Sequence, residues 1–200
     1  MPRVGLSNAD VVAAGATLAD DVGFTNLSLG TLAQRLGVRT PSLYKHIDSL
    51  ADLRHSIAAL AITELDQRVR DAMHGRSGTE ALAAFATAFR DYLVAHPGRY
   101  AATIGEPDTG SEDPLRHSGS RLLQSLEAVL HGYGIDESDM VHAMRSVRGA
   151  LHGFATLQTS HGFQWSEDTD DSFDWMIRFI DHGLTQIGSR RTDLHGPIAD

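Results

Sequence analysis

The sequence predicts an all-α protein, and three observations predict it. Apolar residues recur at three- and four-residue spacing along nearly the whole chain. The interruptions carry the capping residues, glycines and prolines that begin and end helices. No run of useful length alternates apolar and polar residues as a half-buried strand would. About nine helices are expected over the 200 residues, a length of one or two domains with enough chain to bury a core.

Ser7-Asn8 can cap a first helix that runs to Val22, buries Val11, Val12, Ala14, Leu18 and Val22, and stops at Gly23. Ser28 can cap a short second helix with Leu29, Leu32, Ala33 and Leu36 inward, ending at Gly37. A third starts with Thr40 as its cap and Pro41 in the first turn, where the missing N–H does no harm, and runs through Leu43, Tyr44 and Ile47. Leu50, Leu53, Ile57, Leu60, Ala61, Leu65, Val69 and Met73 define a fourth helix of roughly six or seven turns. Gly75 to Gly78 breaks it. Thr79 to Ala95 follows, stopped by Pro97-Gly98, and Arg99 to Ile104 adds a turn or two. Gly105 to Asp113 reads as a flexible loop. Asp113-Pro114 opens a helix through Leu130. Ser138 or Asp139 opens one to Thr159, and Asp171 or Ser172 opens the last, to Ile187. From Arg190 the chain reads as a polar tail.

The formal net charge is −9, but it is unevenly spread. Residues 1–54 hold five basic and five acidic side chains, so the excess lies entirely behind them. Between Ala33 and His46 stand Arg35, Arg39 and Lys45 with no acid. A local basic patch on an acidic body is compatible with nucleic acid, whatever the whole-chain charge. The absence of cysteine excludes disulfides, thiolate metal sites and a thiol nucleophile. No window approaches the ~20 apolar residues of a membrane span, and the N-terminus lacks a signal-like apolar stretch, so a soluble, cytoplasmic protein without a membrane partner is expected. Eleven histidines are scattered without metal-ligand spacing, and phosphate-binding glycine loops are missing. No metal, cofactor or catalytic residue is expected.

The informative segment is Leu27 to Leu53. Two short helices joined at Gly37-Val38-Arg39 and preceded by a longer one have the layout of a helix-turn-helix. Leu29, Leu32, Ala33, Leu36, Val38, Leu43 and Ile47 can pack the pair, which leaves Arg39, Thr40, Ser42, Tyr44, Lys45 and His46 outward. That mixture of charge, hydroxyl and aromatic groups suits phosphates and base edges in a major groove.

Thr31-Leu32-Ala33-Gln34-Arg35-Leu36-Gly37-Val38, followed by Ser42-Leu43-Tyr44-Lys45-His46, resembles the signature of the TetR family of bacterial transcriptional regulators. The resemblance implies that the helix from Thr40 to His46 enters the major groove. Tyr44 and His46 would meet phosphates, Lys45 a phosphate or a base, and Arg39, Thr40 and Ser42 base edges. Thr31 matches a position that holds the DNA backbone. Two departures stand out: Ile47 and Leu50 occupy positions where the family usually has Phe and Lys. The second removes a phosphate contact, and the N-terminal arm offers only Arg3. Modest affinity is expected, falling with salt by roughly 0.9 log units per phosphate contact per decade.

Arg145 to Ala155, with Phe163 and Ser172-Phe173 beyond, resembles the TetR subgroup whose C-terminal domain is named for a Trp-His-Gly motif, with Leu151 at the Trp position. The resemblance implies a helix-turn-helix domain over 1–48, a ligand-binding and dimerisation domain over 49–189, and a tail over 190–200. Two late stripes carry the self-association expectation: Met140 to Leu157 on one helix and Phe173 to Ile187 on the next. Phe154, Leu157, Phe173, Met176, Ile177, Ile180 and Leu184 are the interface candidates, in a four-helix bundle that would hold two heads about 34 Å apart; a purely internal core is the competing reading. Pocket candidates are Phe85, Phe89, Tyr92, Tyr100, Leu122, Leu126, Met144, Arg148 and His152. Arg148 reads either as an anchor for an acidic ligand or as a surface ion pair, and His152 either as a ligand contact or as a core histidine. The functional expectation is a non-enzymatic one-component regulator, a homodimeric repressor on a palindromic operator released by a small molecule. The alternatives are a regulator without a ligand, and an all-α enzyme or carrier.

Overall fold

The computed structural model of the chain describes residues 6–104 and 113–192, with side chains as far as residue 189. Among these residues there are nine α-helices and no strand: α1 (Asn8–Val22), α2 (Leu29–Leu36), α3 (Thr40–Leu43), α4 (Leu50–Met73), α5 (Gly78–Ala95), α6 (Pro97–Ala102), α7 (Pro114–Gly132), α8 (Glu137–Thr159) and α9 (Thr169–Thr192). A single 3-10 turn, Phe24–Asn26, joins α1 to α2. The loop expected at Gly105 to Asp113 lies outside the described residues except for Asp113, as do Arg3 and the tail beyond Thr192.

Local chemistry accounts for the boundaries that differ from expectation. Ser7 caps α1 in a reciprocal box with Asp10, whose carboxylate accepts the Ser7 N–H at 2.9 Å while Ser7 Oγ accepts the Asp10 N–H at 3.2 Å. The Ser7 hydroxyl, which donates to the same carboxylate at 2.6 Å, and then the Ser7 N–H hold the Asp10 pKa below its usual value. Thr40 is the first helical residue of α3 rather than its cap, and Arg39 stands at the cap position without a side-chain bond. The helix closes at Leu43, and the backbone continues to Ile47 as turns. α9 opens at Thr169, two residues early, because Asp168 Oδ1 accepts the N–H groups of Asp170 and Asp171. Its helical backbone also runs through 190–192, where a tail was expected. Val22, expected inside, is exposed.

The chain divides into two compact units, residues 1–64 with 95–119 and residues 65–94 with 120–200. The first unit takes in the start of α4 as well as α1 to α3. The reason lies in the early turns of α4: Leu53 and Ile57 are fully buried in the same apolar cluster as Val11 and Ala16 of α1, Leu32 of α2 and Leu43 of α3. Gly15 admits them, since a Cβ there would stand 3.2 Å from both.

The first unit also holds α6, seated on α1 at Gly98. A Cβ at Gly98 would fall 1.9 Å from the Ala19 carbonyl oxygen, so only glycine allows this approach. Beside it Asp20 accepts the Arg99 backbone N–H at 2.8 Å and pairs with the Arg99 guanidinium at 3.0 Å. Arg99 also reaches Glu64 at 3.1 Å and donates to the Thr17 hydroxyl at 3.3 Å, joining α1, α4 and α6 through one guanidinium.

The second unit is organised around buried positions of α5, α7, α8 and α9, among them Phe85, Phe89, Tyr92, Leu126, Leu130, Val147, Leu151 and Phe173. Arg90 is buried among them. Its guanidinium lies over the rings of Phe173 (4.6 Å) and Phe154 (5.7 Å), donates to Gln158 Oε1 at 2.8 Å and pairs with Asp170. A charge so placed is tolerable only with such partners. Tyr133 donates to Asp181, which also accepts from Thr79; burial, then this carboxylate, raises the phenol pKa.

Candidate nucleic-acid interface

The turn that presents α3 is built from its backbone upward. Ser28 caps α2 by accepting the Thr31 N–H at 3.2 Å, and the two hydroxyls lie 2.8 Å apart. At the other end Gly37 takes a left-handed conformation with φ 66°, which an L side chain adopts at a cost. Val38 N–H then closes on the Ala33 carbonyl at 3.0 Å, and the chain reverses within three residues. Leu43 (fully buried) and Ile47 (2% exposed) fix the inner face of the segment against Leu32 and Ala33. Ile47 thus fills the core position expected of it.

The outer face follows from that anchoring. Arg39, Tyr44 and Lys45 are exposed, Tyr44 at 55%, while Thr40, Ser42 and His46 are half-buried beside them. Thr31 is exposed at the head of α2, its hydroxyl also donating to the Ser28 carbonyl at 2.9 Å. All seven residues singled out in the sequence therefore lie in one α2–α3 segment and none is buried. Arg35, in the same basic stretch, is committed to an ion pair with Asp21 of α1.

One residue of this region was missed. Asn8 donates through Nδ2 to the His46 carbonyl at 2.6 Å, tying the turn after α3 to the first turn of α1. The sequence reads Ser7-Asn8 as capping residues only, and because Ser7 takes the cap, Asn8 is left for this clamp. At the start of α4, Asp52 accepts the Asp48 N–H at 2.9 Å while Ser49 Oγ accepts the Asp52 N–H at 3.0 Å. Ser49 thus caps the helix that begins at Leu50, and the Asp52 carboxylate holds the residue before the cap.

The pocket candidates distribute differently. Phe85, Phe89, Tyr92, Leu122 and Leu126 are buried in the second unit, with the Phe85 and Phe89 rings stacked at 6.1 Å and Arg68 over Tyr92 at 5.1 Å. Met144 and His152 are half-buried. Arg148 is exposed: the inward row of α8 is Met140, Val147, Leu151 and Ala155, and position 148 falls off it. Tyr100 is buried in α6, within the first unit.

The self-association candidates divide between the interior and the surface. Phe173, Ile177 and Leu184 are buried within the protomer. Phe154 is half-buried against Phe163 and Phe173, at 4.8 and 5.2 Å, and Leu157 is exposed. Met176 and Ile180 line an outer groove of about 670 Å³ between α8 and α9, together with Val147, Ala150, Phe179 and Ile187, and with Asp139, His142 and Ser146. The exposed apolar row of α9 is Trp175, Phe179 and Ile187, the first two stacked at 5.6 Å. Apolar residues occupy so much of the circumference of α9 that spacing alone does not separate inner from outer face.

Among the described residues, a short outward α3 behind a glycine turn has the layout of a helix-turn-helix. A family model described as the tetracyclin repressor-like C-terminal domain matches residues 82–180. The chain is 32% identical over 183 residues to YobS of Bacillus subtilis (strain 168), an uncharacterized HTH-type transcriptional regulator, covering 92% of this chain and 95% of that protein. It is 34% identical over 195 residues to Rv0681 of Mycobacterium tuberculosis (strain ATCC 25618 / H37Rv), described in the same words, covering 97% and 86%. Two solved structures share the fold: BioQ with its double-stranded DNA operator (TM-score 0.64, 20% identity, 91% of this chain and 99% of that one), and a single-substitution variant of TetR from Acinetobacter baumannii AYE in complex with minocycline (TM-score 0.63, 22% identity, 96% and 100%). The chain belongs to the TetR family and is a DNA-binding transcriptional regulator of the helix-turn-helix type.

Proposed function

We propose that the protein is a homodimeric repressor that reads a palindromic operator through α3 and is released by a small molecule held in its C-terminal helices. The observation that carries the DNA reading is the split of the α3 segment into a buried Leu43–Ile47 edge and an outward Arg39–Tyr44–Lys45 edge. In this reading Tyr44 and His46 engage phosphates, Lys45 a phosphate or a base, Arg39, Thr40 and Ser42 face base edges, and Thr31 holds the backbone from α2. The head comprises residues 1–48, and residues 49–189 form the ligand-binding and dimerisation domain.

Asp52 at the α4 N-terminus and Leu50 in place of a lysine favour modest affinity, because neither adds a phosphate contact. The apolar groove of α8 and α9, with the exposed Trp175–Phe179 pair, supports self-association by presenting apolar surface that a second copy would cover. BioQ on its operator and TetR with minocycline support operator and effector binding by family likeness. Release requires the effector to prefer the arrangement that does not fit DNA; a 100-fold loss of operator affinity needs about 2.7 kcal/mol of preference. The protein would act in the cytoplasm and carry out no catalysis.

Selection of bound sequences from random duplex DNA tests the reading. Enrichment of an inverted repeat with half-sites about one helical turn apart supports it, and an unenriched pool overturns it.

A further inference from the structure

We propose that Asn8 is a positioning residue for operator binding, on the reading of Tyr44, Lys45 and His46 as DNA-facing: its side-chain amide fixes, from α1, the turn that carries them. α3 proper has only four residues, and no side chain caps its start. Tyr44, Lys45 and His46 follow as turns, without a continuing helical ladder to hold them. Their backbone bonds are local. Lys45 N–H reaches the Ser42 carbonyl only at 3.5 Å, and the His46 and Ile47 N–H groups share the Leu43 carbonyl at 2.8 and 3.1 Å. Buried Leu43 and Ile47 anchor the two ends, but the three residues between them are exposed or half-buried. Among the described residues no backbone N–H reaches the His46 carbonyl. Asn8 Nδ2 supplies its donor at 2.6 Å, and no other described side chain hydrogen-bonds to residues 44–46.

The donor is itself well fixed. Asn8 is the first residue of α1, and the reciprocal Ser7–Asp10 box holds the backbone of that turn. Val11 and Val12, in the same turn, are buried in one cluster with Leu43 and Ile47, so the core sets the distance that the amide spans. Ser7 caps the helix, and α1 therefore does not depend on the Asn8 side chain, whereas the turn after α3 does. Both partners lie at the surface, so water can take over the carbonyl when the amide is removed. Stability then changes little, but the turn loses the strut that preorganises its side chains for a ligand.

Asn8→Ala in the full-length protein tests this, with the duplex enriched from the random pool as probe. Affinity should fall about tenfold in a gel-shift titration while the melting temperature stays at the wild-type value. In the free protein the amide NMR signals of residues 44–47 should shift and exchange faster with solvent. A double-mutant cycle with Lys45→Ala separates positioning from contact: acting through the turn, Asn8→Ala should cost less in the Lys45→Ala background than in wild type. Losses that simply multiply would make Asn8 an independent DNA contact and overturn the proposal. Wild-type affinity in Asn8→Ala, or a loss that comes with a lowered melting temperature, would overturn it as well. Lys45→Ala that binds normally would instead sink the reading of the α3 edge on which the proposal stands.

Discussion

The α3 segment and α9 solve opposite problems. α3 buries two aliphatic residues and turns charge, hydroxyl and a tyrosine outward, so its exposed surface is polar and its position is fixed from beneath. α9 buries Phe173, Ile177 and Leu184 and still turns Trp175 and Phe179 outward. Water solvates the first surface comfortably and the second at a cost, which suits one to a charged polymer and the other to a protein partner. An outward residue therefore tells little until the chemistry of its neighbours is known.

The largest effect should come from the polar surface. Replacing Tyr44 and Lys45 together by Ala should lower operator affinity by about 4 kcal/mol, roughly 1,000-fold, with circular dichroism and molecular mass unchanged. Retained binding in a gel-shift titration would place the reading surface elsewhere. Next comes the support beneath it. Gly98→Ala should destabilise the first unit by about 3 kcal/mol, because α1 and α6 must separate to admit a methyl group. Urea denaturation measures this, and a midpoint equal to wild type would contradict the close approach.

On the apolar side, Phe179→Asp should weaken self-association by about 2 kcal/mol while the fold survives, whereas Phe173→Asp should unfold the second unit. Sedimentation alongside thermal melting separates the two, and a dimer undisturbed by Phe179→Asp would move the interface off this face. The smallest effect belongs to the cap of α1. Ser7→Ala should cost about 1 kcal/mol. The Asp10 pKa is lowered in the folded protein, so its contribution is complete at neutral pH and fades as pH falls below 3.8. An acid titration of stability should show this loss in wild type and not in Asp10→Asn.

The contrast also explains what could be read from the sequence. The α2–α3 turn was legible because each step has a local cause: a serine cap, a left-handed glycine and an aliphatic pair at fixed spacing. Helix existence followed from periodicity alone, and the extra helical residues of α9 trace to the Asp168 cap. Long-range pairings left no such trace. Nothing local in the sequence says that Asn8 bonds to the His46 carbonyl, or that Arg99 joins three helices. Arg90 gave a faint signal, a cation on the inward side of an apolar helix, but its partners lie 68 and 80 residues further on. The faces of α9 were ambiguous because both are apolar, and Arg148 sits one position off the inward row of α8.

The bare glycine at position 98 also governs how the protein should respond to electrolyte. By letting two helix backbones touch, it keeps the neighbouring Asp20–Arg99 pair largely out of water, with side-chain exposures of only 13% and 16%. Dissolved ions screen such a sheltered pair weakly but compete directly for phosphate contacts on an open surface. Rising salt should therefore strip the regulator from its operator well before it loosens the scaffold that aims the reading helix.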